Sequence, residues 1–305
     1  MQIESIVEKM SGEELFSLAR EFNIPITERT VRRQLLIDKL MDNLEEWHKK
    51  DLASPHEIGD PSIKLRNIKK NYSTTVAVNG LDLDVHPREI VGLVGPNGAG
   101  KTTTLRILTG IIKATAGEVE IAGYNIEKEP LKAKRRIGYI PEKPTCYPSL
   151  RVKEYFQFIA KLYDVSPVER ILRTRKYVDL FHLDKYLDSY IGTLSKGNLQ
   201  RVLVVGIFIR PPPFILALDE PIYGLDPLGA WNFKKQLREL RDEGSAILVS
   251  THILEVAEAL CDRFVILNHG KAVGRGTLTE LRNRCPECKS LEEIFLELTG
   301  GIPAK

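Results

Sequence analysis

The sequence predicts an α/β fold in which a largely parallel β-sheet is covered by helices on both faces. Short apolar runs that are typical of buried strands alternate along the chain with segments of helical periodicity. One such run, residues 90–94, leads directly into the glycine-rich segment GPNGAGKTT of residues 95–103. Another, residues 214–218, ends in the adjacent carboxylates Asp219 and Glu220. Because ligands bind at the carboxyl ends of parallel strands, the same runs also predict where a site lies.

Length, composition and charge indicate one large domain with a small appendage. The chain has 305 residues, of which 43% are hydrophobic and 28% charged, as in a globular protein with a sizeable core. The net charge is +3, but residues 1–60 carry 13 acidic and 8 basic side chains, so the remainder has a net charge of +8. That basic balance suits either a solvated mixed surface or a patch for nucleic acid or lipid headgroups.

The sequence favours a cytoplasmic location. The longest apolar stretch, residues 202–218, is interrupted by Arg210 and three prolines, so it falls short of the roughly 18 apolar residues of a membrane span. Residues 1–10 lack the basic and then apolar pattern of a secretion signal. Four cysteines are too few for a disulfide scaffold at this length, and we expect reduced thiols.

Residues 1–58 are predicted to form a small acidic helical module and a linker. Ser11 and Glu14 have capping-box spacing, and apolar residues then recur at helical intervals in two stripes, residues 15–22 and 36–47. The arrangement is similar to helical modules of the SAP and Rho N-terminal kind. Docking or dimerisation and nucleic-acid contact are both open as functions, although the acidic balance disfavours a phosphate backbone as the ligand.

The main domain is predicted to occupy residues 59–305. Strand-like patterns cover residues 63–72, 76–85 and 89–94, and further strands are expected at residues 117–121, 214–218, 246–250 and 264–268. Residues 148–191 are instead rich in helix formers, which predicts an inserted helical subdomain over about residues 145–210. An amphipathic helix is expected from residue 291 onward.

The glycine-rich segment has the composition of a loop that binds phosphate. Glycines at positions 95, 98 and 100 let backbone N–H groups turn toward an anion, and the helix that follows directs its positive end at the same place. Lys101 would reach the β- and γ-phosphates, and the Thr102 hydroxyl would bind Mg²⁺. Nucleotide binding is therefore the leading functional hypothesis.

The carboxylates that end the run at residues 214–218 complete the chemistry of nucleotide hydrolysis. Asp219 is placed to hold Mg²⁺ through water, and Glu220 to act as the general base that polarises the attacking water. A pair of acids at a strand end can also serve only as a helix cap. The phosphate loop upstream favours the catalytic interpretation.

Five motifs in this order resemble the ATPase subunit of an ATP-binding-cassette (ABC) transporter. After the phosphate loop come LSKGN at residues 194–198, Asp219 with Glu220, GLDP at residues 224–227, and His252. The resemblance covers about residues 63–300 and implies an ABC-type P-loop NTPase with a RecA-like core, an antiparallel β subdomain and an inserted α-helical subdomain. It also implies a head-to-tail homodimer that holds two ATP molecules in its interface.

The resemblance assigns roles to individual residues. Tyr72 would stack on adenine, Ser195 and Gly197 would touch the γ-phosphate bound by the opposite subunit, Asp226 would couple the two sites, and His252 would contact the γ-phosphate. The catalytic set is then Glu220, His252, Lys101 and Glu142, and Mg²⁺ would be held by Thr102, Asp219 and Glu142. ATP would be bound by the loop residues Gly95, Pro96, Asn97, Gly98, Ala99, Gly100, Lys101, Thr102 and Thr103.

Four positions depart from the usual family pattern. Lys196 and Asn198 make the signature LSKGN rather than LSGGQ, and Glu142 stands where a glutamine is usual. These variants resemble the branch that serves ABC-2-type export permeases. Tyr223 is bulkier than the small polar residue usual before GLD, which affects the geometry expected there. We expect Glu142 still to approach Mg²⁺ or the attacking water.

Cys285 and Cys288 have the spacing of half a zinc knuckle. No second pair and no nearby histidine accompany them. An ordinary turn, a redox pair and a metal site shared across a dimer are the three interpretations.

The resemblance implies an ATP- and Mg²⁺-dependent ATPase that powers a separate integral-membrane permease, for export. The protein would be cytoplasmic and peripheral on the inner face of the cell membrane, and nucleic acid would not be its partner. The alternative is a soluble ABC ATPase that acts on nucleic acid or ribosomes, which only the N-terminal module suggests.

Overall fold

The structure, a computed structural model, describes Leu15, residues 61–210 and residues 215–300. The predicted N-terminal module therefore lies outside the described residues, except for Leu15, which is helical and buried. The described residues divide into two compact units. The larger contains residues 61–146, 194–204 and 215–300, and the smaller contains residues 147–193 and 205–210.

Ten strands and nine helices are present in the described ranges beyond residue 60. The strands are β1 (Ile63–Tyr72), β2 (Thr75–Val85), β3 (Glu89–Val94), β4 (Ala116–Ile121), β5 (Tyr124–Asn125), β6 (Ile137–Ile140), β7 (Ile215–Asp219), β8 (Ala246–Thr251), β9 (Arg263–Asn268) and β10 (Lys271–Gly276). The helices are α1 (Lys101–Leu108), α2 (Pro130–Arg136), α3 (Val152–Leu162), α4 (Pro167–Leu180), α5 (Lys196–Phe208), α6 (Pro227–Asp242), α7 (Leu254–Leu260), α8 (Leu278–Arg284) and α9 (Leu291–Thr299). None of these helices is both long and apolar enough to cross a bilayer.

The larger unit contains two β-sheets. One has four strands in the order β2-β1-β4-β5, all paired antiparallel. The other has six strands in the order β10-β9-β3-β8-β7-β6, in which every pair is parallel except the β9–β10 hairpin. The predicted α/β class and its antiparallel component are therefore confirmed.

The parallel sheet brings the ends of three strands together. Every residue of β7 and β8 is buried, as expected for strands covered on both faces. Val94 at the end of β3 pairs with Thr251 at the end of β8, and Asp219 at the end of β7 pairs with Ser250. The loops that follow these three strands thus begin at one edge of the sheet.

Strand bounds differ in small ways from the sequence prediction. The predicted strand at residues 214–218 is found as Ile215–Asp219, so Asp219 is itself a strand residue, and residue 214 lies outside the described ranges. The short strands β5 and β6 and the hairpin strand β10 were not predicted, because two to four residues carry no periodicity and β10 alternates with glycines.

The smaller unit contains α3, α4 and the last turn of α5. Aromatic rings form its centre, with the Phe208 ring 5.2 Å from that of Tyr177 and 6.3 Å from that of Phe181. Gly206 lies against Tyr155 so closely that a Cβ atom at Gly206 would stand 2.8 Å from the ring. The smaller unit is therefore helical, with aromatic side chains at its centre.

The C-terminal helices α8 and α9 join a cluster that includes Phe264, Leu281 and Ile294. The turn between them holds a disulfide between Cys285 and Cys288, so the expectation of four reduced thiols is wrong for this pair. Cys146 and Cys261 form no disulfide within the described ranges. Within the described ranges no group of three or more metal-ligating side chains exists.

Candidate active site

The phosphate loop follows β3 and needs glycine for steric reasons. Gly100 has φ 103° and forms the left-handed cap of α1. A Cβ atom on Gly100 would collide with the Ala77 carbonyl oxygen, and one on Gly95 would collide with that of Leu267. Gly98 has φ 82° and faces open space. Gly95 and Gly100 therefore allow the loop to pack closely on neighbouring backbone, and Gly98 leaves open space beside the loop into which an anion can come.

Lys101 lies at the centre of this loop. Its side chain is buried, and its Nζ donates to the Gly95 carbonyl at 2.7 Å and to the Pro96 carbonyl at 3.1 Å. Burial lowers the pKa of Lys101, while the carboxylates of Glu220, Asp219 and Glu142 act in the opposite direction. The ammonium is thus held beneath the loop, where it can exchange a carbonyl contact for a phosphate oxygen.

Asp219 is fully buried and has one oxygen free for a ligand. Its Oδ1 accepts from the hydroxyls of Ser250 and, at 3.2 Å, of Thr102. Its Oδ2 is buried and has no hydrogen-bond partner in the part of the chain that the structure describes. Burial raises the pKa of Asp219, the two hydroxyls lower it, and Glu142 and Glu220 raise it further. An unpaired buried carboxylate oxygen beside a threonine hydroxyl fits the all-oxygen preference of Mg²⁺.

Glu220 is fixed by three hydrogen bonds. Its Oε2 accepts from the Thr251 hydroxyl at 2.9 Å, and its Oε1 accepts from the His252 backbone N–H at 2.9 Å. The His252 Nδ1 lies 2.7 Å from the same Oε1. Glu220 also has φ 47°, an uncommon conformation for a residue with a side chain. These hydrogen bonds therefore fix the orientation of the carboxylate. The structure also brings the predicted base, Glu220, into contact with the predicted histidine, His252.

Sequence reasoning assigned no role to three residues that shape this site. Ser250 and Thr251 hold the two carboxylates. Burial and, to a smaller extent, the negative charge of Asp219 raise the pKa of Tyr139 to about 12. The hydrogen bond from Arg106 acts in the opposite direction. The signal for Ser250 and Thr251 was available, because both end a strand that is parallel to the strand of Asp219.

A cavity of about 1020 Å³ unites most of the predicted residues. Its walls bring Lys101, Thr102, Glu142, Glu220 and His252 together. The rest of its lining comprises Thr75, Ala77, Asn97, Gly98, Gly100, Thr103, Lys143, Pro144, Lys196, Gln200, Tyr223 and Gly224. Glu142 and Lys196, the two charged residues that depart from the family pattern, thus line the same cavity with opposite charges.

Ser195 and Gly197 lie at the start of α5 and do not line this cavity. The exposed Ser195 side chain accepts from the Asn198 backbone N–H at 3.3 Å. A Cβ atom on Gly197 would stand 2.7 Å from the Gly224 carbonyl oxygen, so glycine is required for this approach. One turn later, the Gln200 amide donates to the Pro221 carbonyl at 3.1 Å. The start of α5 is thus packed on the segment that follows Glu220.

Asp226 caps α6 and forms an ion pair. Its side chain accepts from the Gly229 backbone N–H at 3.2 Å and from the Arg201 guanidinium. The predicted coupling residue is therefore tied to α5 through Arg201.

Tyr72 stands apart from the cavity lining. Its ring is 45% exposed and lies 5.1 Å from the Lys70 ammonium, but its β2 partner Thr75 lines the cavity. Stacking on adenine stays a prediction for this residue.

Known proteins of similar sequence belong to the family that the motifs indicate. The family described as ABC transporter matches residues 78–223. An ABC-type transporter ATP-binding protein of Bacillus subtilis, EcsA, is 33% identical over 78% of this chain and 96% of its own length. The lipopolysaccharide export system ATP-binding protein LptB of Escherichia coli is 34% identical over 72% of this chain and 92% of its own length. The Nod factor export ATP-binding protein I of Cupriavidus metallidurans is 33% identical over 77% of this chain and 78% of its own length.

Solved structures agree in fold. An ATP-binding subunit of an ABC transporter superimposes with a TM-score of 0.74 and 34% identity, over 77% of this chain and 98% of its own. A dimeric post-hydrolysis state of an ATP-binding cassette, bound to ADP and phosphate, superimposes with a TM-score of 0.64 and 27% identity, over 71% of this chain and 98% of its own.

Proposed function

The chain belongs to the ABC transporter family as an ATP-binding and ATP-hydrolysing subunit, and we propose from this premise that it drives a separate export permease by closing and opening a dimer around Mg·ATP. The predicted family and ATPase activity are thereby confirmed. The observation that carries the proposal is the convergence of the phosphate loop, a buried carboxylate with an unpaired oxygen, and a fixed second carboxylate at one sheet edge. The residue roles, the cation and the partners below are proposals.

The phosphate loop and Lys101 are proposed to bind the phosphates of ATP. The bare backbone of the loop and the positive end of α1 attract the β- and γ-phosphates, because unpaired N–H groups at a helix start favour an anion. Lys101 exchanges its contact with the Gly95 carbonyl for a phosphate oxygen, which compensates the cost of burying its charge.

Thr102 and Asp219, which share a hydrogen bond, would hold Mg²⁺ together with Glu142, which lines the same cavity as Thr102. When bound, the cation supplies charge neutralisation at the phosphates. The unpaired Oδ2 of Asp219 supports this assignment, because a buried anionic oxygen without a partner is costly unless a ligand satisfies it.

Glu220 is proposed to take a proton from the attacking water. Its two oxygens are held by Thr251 and His252, so a lone pair keeps a fixed direction toward the cavity. His252, with Nδ1 donating to Glu220, would present Nε2–H to the γ-phosphate when doubly protonated. Both residues would therefore act in the same phosphoryl transfer. Glu220 would activate the attacking water, and His252 would stabilise the negative charge of the γ-phosphate.

Ser195 and Gly197 are proposed to complete the site of a second copy. They lie at the exposed N-terminal end of a 13-residue helix, and such an end binds an anion. Their own chain's cavity does not include them, which is consistent with a phosphate that arrives from a partner subunit. Dimerisation would then depend on ATP.

A separate integral-membrane permease is the proposed partner, and the inner face of the cell membrane the proposed location. Relatives whose names include lipopolysaccharide export and Nod factor export support the export direction. The alternative of an ATPase that acts on nucleic acid or ribosomes has no support among these relatives, which are transporter subunits.

The test is affinity purification of tagged Glu220→Gln protein with Mg·ATP, from detergent-solubilised native membranes and from the soluble fraction. We expect a multi-span membrane protein at near-equal stoichiometry. The matched control is the same variant without nucleotide, which should recover less of that protein if dimer closure strengthens the complex. Recovery only of ribosomes or nucleic acid would overturn the proposal.

A further inference from the structure

A second cavity, of about 440 Å³, lies in the larger unit between the end of α1, strand β4 and the start of α2. Its floor is apolar, formed by Ile107, Ile112, Val119 and Ile126. None of the residues proposed to bind or hydrolyse ATP lines it. The volume is within the range of small-ligand sites, so the cavity can hold a group larger than a solvent molecule.

Three ammonium groups surround the cavity. Lys113, Lys128 and Lys134 all line it, and all three side chains are exposed. Lys134 donates one of its three N–H groups to the Gly110 carbonyl at 3.1 Å. Within the described ranges none of the three forms an ion pair with a carboxylate, and together they outnumber the acidic side chains of the lining by one. Two acidic side chains, Glu118 and Glu127, share the lining.

The adjoining surface is basic and carries exposed aliphatic side chains. Residues 128–136 contain five basic residues and one acidic residue. Leu131 is 78% exposed, the largest exposed fraction of any large apolar side chain in the described ranges, and Ile111 is 57% exposed. Each is next in sequence to a residue that lines the cavity, Pro130 and Gly110 respectively. Cations beside exposed aliphatic groups are typical of a surface that meets both headgroups and acyl chains.

We propose that this cavity and its flanks bind an anionic phospholipid at a membrane surface. The phosphodiester lies among Lys113, Lys128 and Lys134, and Leu131 and Ile111 enter the acyl boundary. A glycerol headgroup suits the mixed lining, because its hydroxyls can donate to Glu118 and Glu127 while its phosphate meets the lysines.

A lipid fits this lining better than nucleic acid does. Closely spaced phosphates of a polynucleotide would be repelled by the two carboxylates, whereas a single phosphodiester can lie between the lysines. The exposed flanking side chains are also aliphatic, and unpaired bases stack on aromatic rings. A membrane therefore accounts for both the charges and the apolar groups.

The test uses the purified full-length chain and vesicles that contain no other protein, so its outcome is separate from that of the permease proposal. Vesicles of phosphatidylcholine alone are compared with vesicles that also contain phosphatidylglycerol, by co-sedimentation. We expect salt-sensitive binding only to the second kind. Because each cation near an anionic surface changes partitioning about fivefold, a triple variant with Lys113, Lys128 and Lys134 replaced by Gln should bind about a hundredfold more weakly.

A matched triple variant separates the site from net charge. Replacement of Lys235, Lys271 and Lys289 by Gln removes the same charge from exposed positions outside the cavity, and we expect a loss of less than about fivefold because surface charges are screened over about 10 Å. Leu131→Gln should weaken binding about tenfold with no change of charge. ATP hydrolysis in the absence of lipid should be unchanged in all three variants, which shows that they fold.

Equal losses in the two triple variants would overturn the proposal, as would binding to phosphatidylcholine alone or an unchanged affinity in Leu131→Gln. Displacement of the chain from vesicles by RNA at matched phosphate concentration, with loss of RNA binding in the cavity variant, would assign the surface to nucleic acid instead. Displacement by glycerol phosphate alone would assign the cavity to a free anion.

Discussion

Glu220→Gln is the sharpest perturbation of the proposed chemistry, because the structure shows that an amide can replace the carboxylate with little rearrangement. Oε1 accepts from the His252 backbone N–H, so it must remain an oxygen, and the His252 Nδ1 lies 2.7 Å from it. The amide NH₂ then takes the place of Oε2 and donates to the Thr251 hydroxyl. That hydroxyl already accepts from the Ile253 backbone N–H at 3.1 Å and has a second lone pair to offer.

The magnitude follows from what the substitution removes. The three contacts persist, but the group that accepts the proton of the attacking water is gone. General-base catalysis contributes about 10²- to 10⁴-fold, which corresponds to about 3–5.5 kcal/mol in the activation free energy. We therefore expect kcat to fall by that factor while the affinity for ATP stays within about threefold of the original value, because the loop and Lys101 are untouched.

Phosphate release at saturating Mg·ATP measures kcat, and equilibrium dialysis with ATP measures affinity. Thr251→Val is the matched control, since it removes a contact to Glu220 and leaves the base in place; we expect a smaller loss, on the order of 10-fold. A kcat for Glu220→Gln within about threefold of the original would refute the role of Glu220 as the base.

Three further predictions concern the cation site, the smaller unit and pH. Asp219→Asn should lower kcat at least about 10²-fold and raise the Mg²⁺ concentration needed for half-maximal activity, since it removes a charge from the proposed cation site; an unchanged Mg²⁺ titration would contradict this assignment. Gly206→Ala should cost about 1–3 kcal/mol in the free energy of unfolding, because its Cβ atom would stand 2.8 Å from the Tyr155 ring. Denaturant unfolding measures the loss, and Gly206→Ala should cost less in a Tyr155→Ala background, where the ring that it would strike is absent. Tyr139, with its pKa raised to about 12, should ionise after an ordinary tyrosine in an ultraviolet titration, and Tyr139→Phe should remove that late phase. Because the folded pKa lies above the unfolded value of about 10, the stabilisation from neutral Tyr139 is present below pH 10 and is lost as the pH rises through 12.

The sequence predicted the location of the site better than its internal geometry. A glycine-rich loop after one apolar run and two carboxylates after another suffice to place both at one sheet edge, because parallel strands end together. Local sequence also predicted α1 and α9, where periodicity and flanking residues agree. Short elements such as β5 and β6 escaped prediction, since their pairing depends on neighbours distant in the chain.

Contacts between strands were the part that sequence could not supply. The role of Thr251 depends on a hydrogen bond to a residue 31 positions earlier, and the positive φ of Glu220 depends on tertiary packing around it. No local pattern encodes either feature. The disulfide between Cys285 and Cys288 contradicts the expectation from the number of cysteines, whereas the spacing of the two residues had left a redox pair among its interpretations.

The site buries a positive and a negative group, and a single ligand can reduce the desolvation penalty of both. Burial lowers the pKa of Lys101 and raises that of Asp219, so burial disfavours the charged form of both groups. A phosphate beside Lys101 and a cation beside Asp219 would relieve both penalties at once, whereas either alone relieves one. Since a ligand that binds only the folded state stabilises it, Mg·ATP should protect the larger unit from unfolding by more than ATP or Mg²⁺ does separately. The same electrostatic coupling predicts that the site binds the metal–nucleotide complex more tightly than the free nucleotide.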